Sequence, residues 1–376
     1  MLHYQLTKRV FHFRRPAGTS RGVYLTRTSW FVRLTCDSSQ GGMMRDGIGE
    51  CAPLPDLSCD AMPDDEYERT LTVMCERYVE TGEIPYEALR PYPSMLFGLE
   101  TAHAQMLGLP PFDGATPFSR GEEGIPINGL VWMGTFEEMY ARVVEKLDAG
   151  FHCVKLKIGA IDWSRELQLI RFVRERFSRD EVELRLDANG GFTTDVALQR
   201  LEELAKYDIH SIEQPIAVRQ WSALRELCDA HLVPIALDEE LIGVNDVAEK
   251  ARLLDAIRPQ YIILKPSLHG GMRGCMEWIS LARERGIGSC MTSALESNVG
   301  LRAISLFAAE VDGERGERAS FARDGEERTV QSSKFKVQSP LMPQGLGTGQ
   351  LFTDNIPMGM QVKGERLWMS EPPMQL

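Results

Sequence analysis

A parallel βα barrel behind an α+β cap is the fold class that the sequence predicts, and three observations predict it. From residue 125 onward, short apolar or β-branched runs alternate with longer segments of helical periodicity, the pattern of repeated βα units. Lys157, Asp187, Glu213, Asp238 and Lys265 fall at or near the C-terminal ends of five successive predicted strands, at intervals of roughly 25 to 30 residues. Residues 1–124 have a different texture, with long alternating runs and then amphipathic stretches. Seven right-handed βα units either close into a ring or spread as an open sheet. An open sheet fans the five ionisable residues into a row, whereas a ring brings them to one mouth, where barrel enzymes keep their chemistry. Closure is therefore expected.

The elements follow in order. Alternation over residues 4–13 and 23–34 predicts an antiparallel hairpin, and helical periodicity over 64–79 and 94–106 predicts two helices, together an α+β cap over 1–124. The barrel is expected over 125–338. Its strands fall at 125–131, 153–158, 182–187, 211–213, 235–238, 261–265 and 289–292. Its helices fall at 135–149, 163–177, 194–207, 220–230, 245–256, 272–285 and 296–309. Thr193 or Thr194 and Asn245 suit helix starts, and Gly150 and Gly286 suit helix ends. The mixed-charge run 312–328 reads as a solvated loop or a frayed helical turn. The tail, 339–376, holds Gly345-Leu346-Gly347-Thr348-Gly349, is too short for another domain, and is expected to return to the cap.

Composition limits the function. The 376 residues carry 42 Lys plus Arg against 54 Asp plus Glu, a formal net charge of -12, which disfavours binding to a phosphate backbone. Nucleic acid is excluded as a partner on this ground. No run of about 18 apolar residues marks a membrane span, and the first 16 residues lack a signal-peptide core, so a cytoplasmic protein is expected. The eight cysteines are scattered without a C-x-x-C pair and read as reduced, mostly core thiols. The seven histidines form no H-x-x-x-H pair, and neither a dinucleotide fingerprint, a P-loop nor a G-x-S-x-G elbow is present.

The chemistry-bearing positions are these. In Val154-Lys155-Leu156-Lys157-Ile158 the lysines share one face of a strand and the apolar residues the other. If the apolar set faces the helices, both ammonium groups project into the barrel, where burial and mutual repulsion are expected to lower their pKa and make a general base. A lone K-x-K is ordinarily a surface feature; the following strands change that. Asp187, Glu213 and Asp238 each end an otherwise apolar strand, and three buried carboxylates cannot all stay ionised without a cation. An all-oxygen set without His or Cys suits a hard divalent ion such as Mg²⁺, with Mn²⁺ the alternative. Lys265 ends the apolar run of the strand after that of Asp238, either across the metal from Lys157 or as a structural partner of Asp238 or Glu239. Ser293 lies near the seventh strand end as a substrate contact, and loops 16–22, with Ser20 and Arg21, and 53–58 are candidate lids.

The order K-x-K, Asp, Glu, Asp, Lys on successive strands resembles the enolase superfamily, in its muconate-lactonizing-enzyme-type subgroup. The resemblance covers nearly the whole chain, through Ala17 to Gly22, Gly49-Glu50-Cys51-Ala52-Pro53-Leu54, Asn128 to Gly134, Leu186-Asp187-Ala188-Asn189-Gly190 and Gly345 to Gln350. It departs from the subgroup over 312–328, a longer and more polar stretch that leaves the eighth barrel strand unplaced. The resemblance implies a modified (β/α)7β TIM barrel with an α+β N-terminal capping domain completed by the C-terminal tail. It implies Mg²⁺ on Asp187, Glu213 and Asp238, a small-molecule carboxylate substrate, Lys157 as the base for a proton alpha to that carboxylate, Lys155 holding Lys157 poised, and Lys265 stabilising the anion. Asn189 and Arg185 then either touch the substrate or support the groups that do, and Arg21 on the cap lid attracts the succinyl carboxylate. The implied reaction is dehydration of 2-succinyl-6-hydroxy-2,4-cyclohexadiene-1-carboxylate in menaquinone biosynthesis. Racemisation of an N-succinylamino acid or epimerisation of a dipeptide uses the same positions, and a non-catalytic metal-binding barrel is a reading of another class. Oligomeric state stays open.

Overall fold

The computed structural model describes residues 1–19, 22–37, 45–322 and 342–370. The expected hairpin is present and longer: β1 (Leu2–Thr19) pairs antiparallel with β2 (Gly22–Cys36), and β2 with a third strand, β3 (Arg45–Cys51). On β2 the alternation puts Trp30, Val32 and Leu34 inward, where they pack with Tyr67, Leu71 and Tyr78 of α1 (Asp64–Thr81) and with Leu99 of α3 (Pro93–Leu107), which follows the short α2 (Tyr86–Leu89). This cap has its own apolar core.

Beyond it, β4 (Ile125–Pro126) and β5 (Gly129–Val131) divide the first expected strand, and α4 (Phe136–Asp148) follows. The regular alternation is β6 (Cys153–Lys157), α5 (Trp163–Arg174), β7 (Glu183–Asp187), α6 (Thr194–Leu204), β8 (Ser211–Glu213), α7 (Trp221–Asp229), β9 (Ile235–Leu237), α8 (Val247–Ile257), β10 (Tyr261–Leu264), α9 (Gly271–Glu284), β11 (Gly288–Met291) and α10 (Asn298–Ala322). A capping box between Thr135 and Glu138 starts α4. The cap of α8 is Asp246, whose side chain accepts from Ala248 N and Glu249 N, rather than Asn245.

The seven strands run parallel in the order β11-β10-β9-β8-β7-β6-β5. Between β11 and β5 the tail completes the wall. Gln344 bridges to Ile127 and Gly345 to Thr292, both in parallel sense. Gln344 N donates to Pro126 O (2.8 Å), Asn128 N to Gln344 O (3.0 Å), and Gly345 N to Met291 O (2.8 Å). A Cβ at Gly345 would strike the Thr292 side chain, so this close approach requires glycine. The eighth position of the barrel, unassigned in the sequence, is thus filled by residues 344–345. After it, Phe352 packs on Phe11 and Phe13 of β1, and β12 (Met360–Lys363) and β13 (Arg366–Met369) form a sheet with β4.

The described part of the mixed-charge run is helical, in line with the second of its two readings and not with a solvated loop. Residues up to Ala322 belong to α10, and Asp312 is buried, accepting from Gln344 Nε2 (3.1 Å). Residues 323–328 of that run lie outside the described residues, as do Ser20 and Arg21. All eight cysteines are free; Cys59 is exposed, Cys36 half-buried and the others buried. Among the described residues no helix is long and apolar enough to cross a membrane.

Cap and barrel are joined by buried carboxylates at helix starts. Glu50 of β3 accepts from Ser297 N (2.9 Å), Ser297 Oγ (2.6 Å) and Gly300 N (2.8 Å) at the start of α10. Glu100 of α3 accepts from Met272 N (2.6 Å) and Arg273 N (3.2 Å) at the start of α9. A carboxyl oxygen at such a position accepts from backbone N–H groups that the helix itself leaves unpaired. These contacts fix the cap over the mouth of the barrel.

Candidate functional site

The strand register assembles the site. Lys155 pairs with Arg185, Lys157 with Asp187, and Asp187 with Glu213 across β6, β7 and β8. Asp238 and Lys265 stand one residue past β9 and β10. Val154, Leu156 and Ile158 are fully buried against the helices, so the two lysines face the barrel interior as the alternation requires. Lys155, Lys157, Asp187, Glu213, Asp238 and Lys265 line one cavity of about 840 Å³, with Arg185, Asn189, Glu239 and Ser293.

Lys157 Nζ donates to Asp187 Oδ2 (2.7 Å) and to Asn189 Oδ1 (2.8 Å). Lys155 Nζ lies 2.9 Å from the same Asp187 oxygen and donates to Glu213 Oε2 (2.5 Å). Lys265 Nζ donates to both oxygens of Asp238, so the pairing alternative for Lys265 is realised in this arrangement. Burial disfavours the Lys155 and Lys265 ammonium groups, but attraction from the carboxylates outweighs it and raises both pKa values. The expected lowering is therefore corrected for Lys155: it counted burial and the neighbouring ammonium but not the carboxylates on the next two strands. Asp187 is penalised by burial yet held well below the usual carboxylate range by Lys155 and Lys157. Glu213 moves the other way, pushed up first by burial and then by the like charge of Asp187.

The carboxylates match a divalent ion in kind. They are hard oxygen donors on adjacent rigid strands, and Glu213 Oε1 is buried without a hydrogen-bond partner. As the side chains stand, no three His, Cys, Asp or Glu among the described residues gather closely enough to hold an ion, because each carboxylate is turned to a lysine.

Asn189 Nδ2 donates to Glu239 Oε1 (2.9 Å), which fixes the amide so that its oxygen meets Lys157. The residue has φ 43, a left-handed conformation that asparagine tolerates, and Asn189 N donates to Asp187 Oδ1 (3.1 Å). Asn189→Ala is expected to lower turnover about 10- to 100-fold, the range for a residue that orients a reacting group. Steady-state kinetics on the purified variant check this, and an unchanged kcat contradicts it.

Arg185 and Ser293 also line the cavity, each held by other protein groups. Arg185 sits one layer beneath Asp187, buried, with Nε donating to Glu183 Oε1 (2.6 Å) and Nη1 to Pro343 O (2.8 Å). Ser293 Oγ shares a hydrogen bond with Thr348 Oγ1 (2.6 Å), joining the seventh strand end to the glycine-rich turn. Glu239 was not foreseen as a site residue, although three consecutive acidic residues after an apolar strand are a usable signal. The inter-domain roles of Glu50 and Glu100 have no local signal.

Comparison with known proteins bears on this constellation. The family described as enolase C-terminal domain-like matches residues 138–352. The o-succinylbenzoate synthase of Desulfotalea psychrophila is 40% identical over 390 residues, covering 95% of this chain and 96% of that protein. The solved structure of MenC from Desulfotalea psychrophila superposes with a TM-score of 0.76 at 36% identity, covering 98% of this chain and 99% of that one. The L-Ala-D/L-Glu epimerase of Bacillus subtilis is 27% identical, covering 78% of this chain and 81% of that protein.

Proposed function

Since this chain belongs to the enolase superfamily and, within it, to the o-succinylbenzoate synthases, we propose a division of labour among its residues for that reaction. The protein dehydrates 2-succinyl-6-hydroxy-2,4-cyclohexadiene-1-carboxylate to o-succinylbenzoate, a step of menaquinone biosynthesis. The observation that carries the substrate assignment is near-full-length identity to a synthase, above that to any epimerase described here.

Enolase-superfamily enzymes generally use Mg²⁺, and we assign that ion, or Mn²⁺, to Asp187, Glu213 and Asp238. When bound, the cation supplies positive charge to the substrate carboxylate, without which the alpha proton is too weakly acidic for a lysine. Lys157 takes that proton at Nζ, aimed by Asn189 and Glu239, and returns it as the C–O bond breaks, so that hydroxide leaves as water and the ring becomes aromatic. Lys155 keeps a positive charge beside Lys157 and the carboxylates. Lys265, on the far wall, sets its ammonium against the anionic ring, where a cation to π contact adds to simple attraction. Residues 1–124 are assigned as the cap that excludes water, 125–338 with the inserted 344–345 as the barrel, and the rest of the tail as its tie to the cap. The assigned compartment is the cytoplasm.

The test is to incubate the protein with Mg²⁺ and the cyclohexadiene substrate and follow the ultraviolet absorbance of the aromatic product. Turnover is expected. Absence of product alongside racemisation of an N-succinylamino acid or epimerisation of a dipeptide would overturn the assignment.

A further inference from the structure

The substrate assigned above is a dianion, and the proposed cation site accounts for only one of its carboxylates. The second lies at the end of a flexible succinyl chain, in a protein whose own net charge is -12. A dianion approaching such a protein is repelled unless the cavity presents local positive charge. The cations lining the cavity can be taken in turn. Lys155, Lys157 and Lys265 are bound to Asp187, Glu213 and Asp238 at the strand ends. Arg185 is bound to Glu183 in the layer beneath, and Lys146, at the end of α4, to Glu145 (2.9 Å). The remaining lining cation among the described residues is Arg15, which makes no ion pair there.

Arg15 stands where a local irregularity of β1 puts it. The β1–β2 register runs without interruption from Leu2 to His12, breaks, and resumes at Ala17. A bulge of this kind bends a strand and re-aims a side chain, and Pro16, with no N–H to give, is suited to it. The bulged stretch is fixed to the tail on the N-terminal side of Arg15. Thr353 N donates to His12 O (2.9 Å), Phe13 bridges to Phe352, and Arg14 N donates to Leu351 O (2.8 Å). The same cavity is lined by Leu54, Leu57, Trp132 and Leu351, which share one apolar cluster, and by Gln350. A cavity lined by an exposed cation and an apolar cluster is complementary to a short acyl chain ending in a carboxylate.

We propose that Arg15 is the specificity residue for the distal carboxylate, binding the succinyl end of the substrate while the ring carboxylate lies at the strand ends. The proposal rests on the synthase reading given above. Arg15 acts on binding and not on bond-making, so its loss raises KM and leaves kcat in place.

The test compares Arg15→Ala, Arg15→Lys and Arg14→Ala with the parent protein in Mg²⁺. Arg14 is exposed, removes the same charge and does not line the cavity. Arg15→Ala is expected to raise KM about tenfold with kcat within about twofold, Arg15→Lys to recover part of the loss, and Arg14→Ala to match the parent. Calorimetric titration with o-succinylbenzoate and with benzoate gives an independent reading. Arg15→Ala should weaken o-succinylbenzoate about tenfold and leave benzoate, which lacks the distal carboxylate, unchanged. Parent-like KM in Arg15→Ala, a KM raised equally by Arg14→Ala, or parallel weakening of both acids overturns the proposal. A parent protein that turns over no cyclohexadiene substrate overturns the synthase reading instead, and the titration then tests Arg15 by itself.

Discussion

Lys157→Ala is expected to lower kcat by about 10³- to 10⁴-fold, toward the upper end of what a positioned general base contributes. The geometry supports so large an effect because no other group can replace it. Lys155 is bound to Asp187 and Glu213, and Lys265 belongs to the opposite wall beside Asp238. The variant should still fold, since Lys157 lies at the cavity surface and the core beneath it is built by Val154, Leu156 and Ile158. It should also bind the product about as the parent does, so the loss appears in kcat rather than KM. A rate within tenfold of the parent, with the fold intact by circular dichroism, contradicts the role of Lys157.

Glu213→Gln is expected to lose activity just as severely, but for a different reason, and with a different signature. Glu213 is the middle of the three carboxylates, paired in register with Asp187, and its Oε1 is a buried acceptor without a donor in the fold. Replacing it by an amide removes one charge from the donor set and brings in N–H groups that repel a cation. Metal affinity should fall by more than the about 10- to 100-fold typical of groups that only support a ligand. Activity should then require far more Mg²⁺ than in the parent, whereas Lys157→Ala should be insensitive to added Mg²⁺. The parent should likewise lose turnover in EDTA and regain it when Mg²⁺ or Mn²⁺ is restored. Full activity of Glu213→Gln at the parent's Mg²⁺ requirement would exclude Glu213 as a ligand.

Much of this site was legible because it depends on local rules applied strand by strand. Period-two alternation fixes which way Lys155 and Lys157 face, and an apolar run ending in a charge marks Asp187, Glu213, Asp238 and Lys265 as strand-end residues. What escaped depends on contacts between segments remote in sequence. The barrel is closed by Gln344 and Gly345, beyond α10, and no periodicity in so short a piece identifies it as part of the wall. The raised pKa of Lys155 comes from Asp187 and Glu213 on two other strands, so reading the K-x-K by itself gave the opposite sign. The bulge at Arg15 shows only in the pairing of β1 with β2, and Glu239 matters because Asn189, 50 residues earlier, turns its amide toward it. The charge and glycine content of 312–322 suits a loop as well as a helical turn, and composition by itself does not choose the helix of α10.

The central claim is that Asp187, Glu213 and Asp238 take up one divalent cation between Lys157 and Lys265. Crystals grown with Mn²⁺ and measured for anomalous scattering test it most directly. The account predicts one strong peak within about 2.0–2.3 Å of an oxygen from each of the three carboxylates, with both lysines released toward the cavity. A peak elsewhere, or Mn²⁺-soaked crystals in which the three carboxylates stay paired to the lysines with no ion between them, would contradict it.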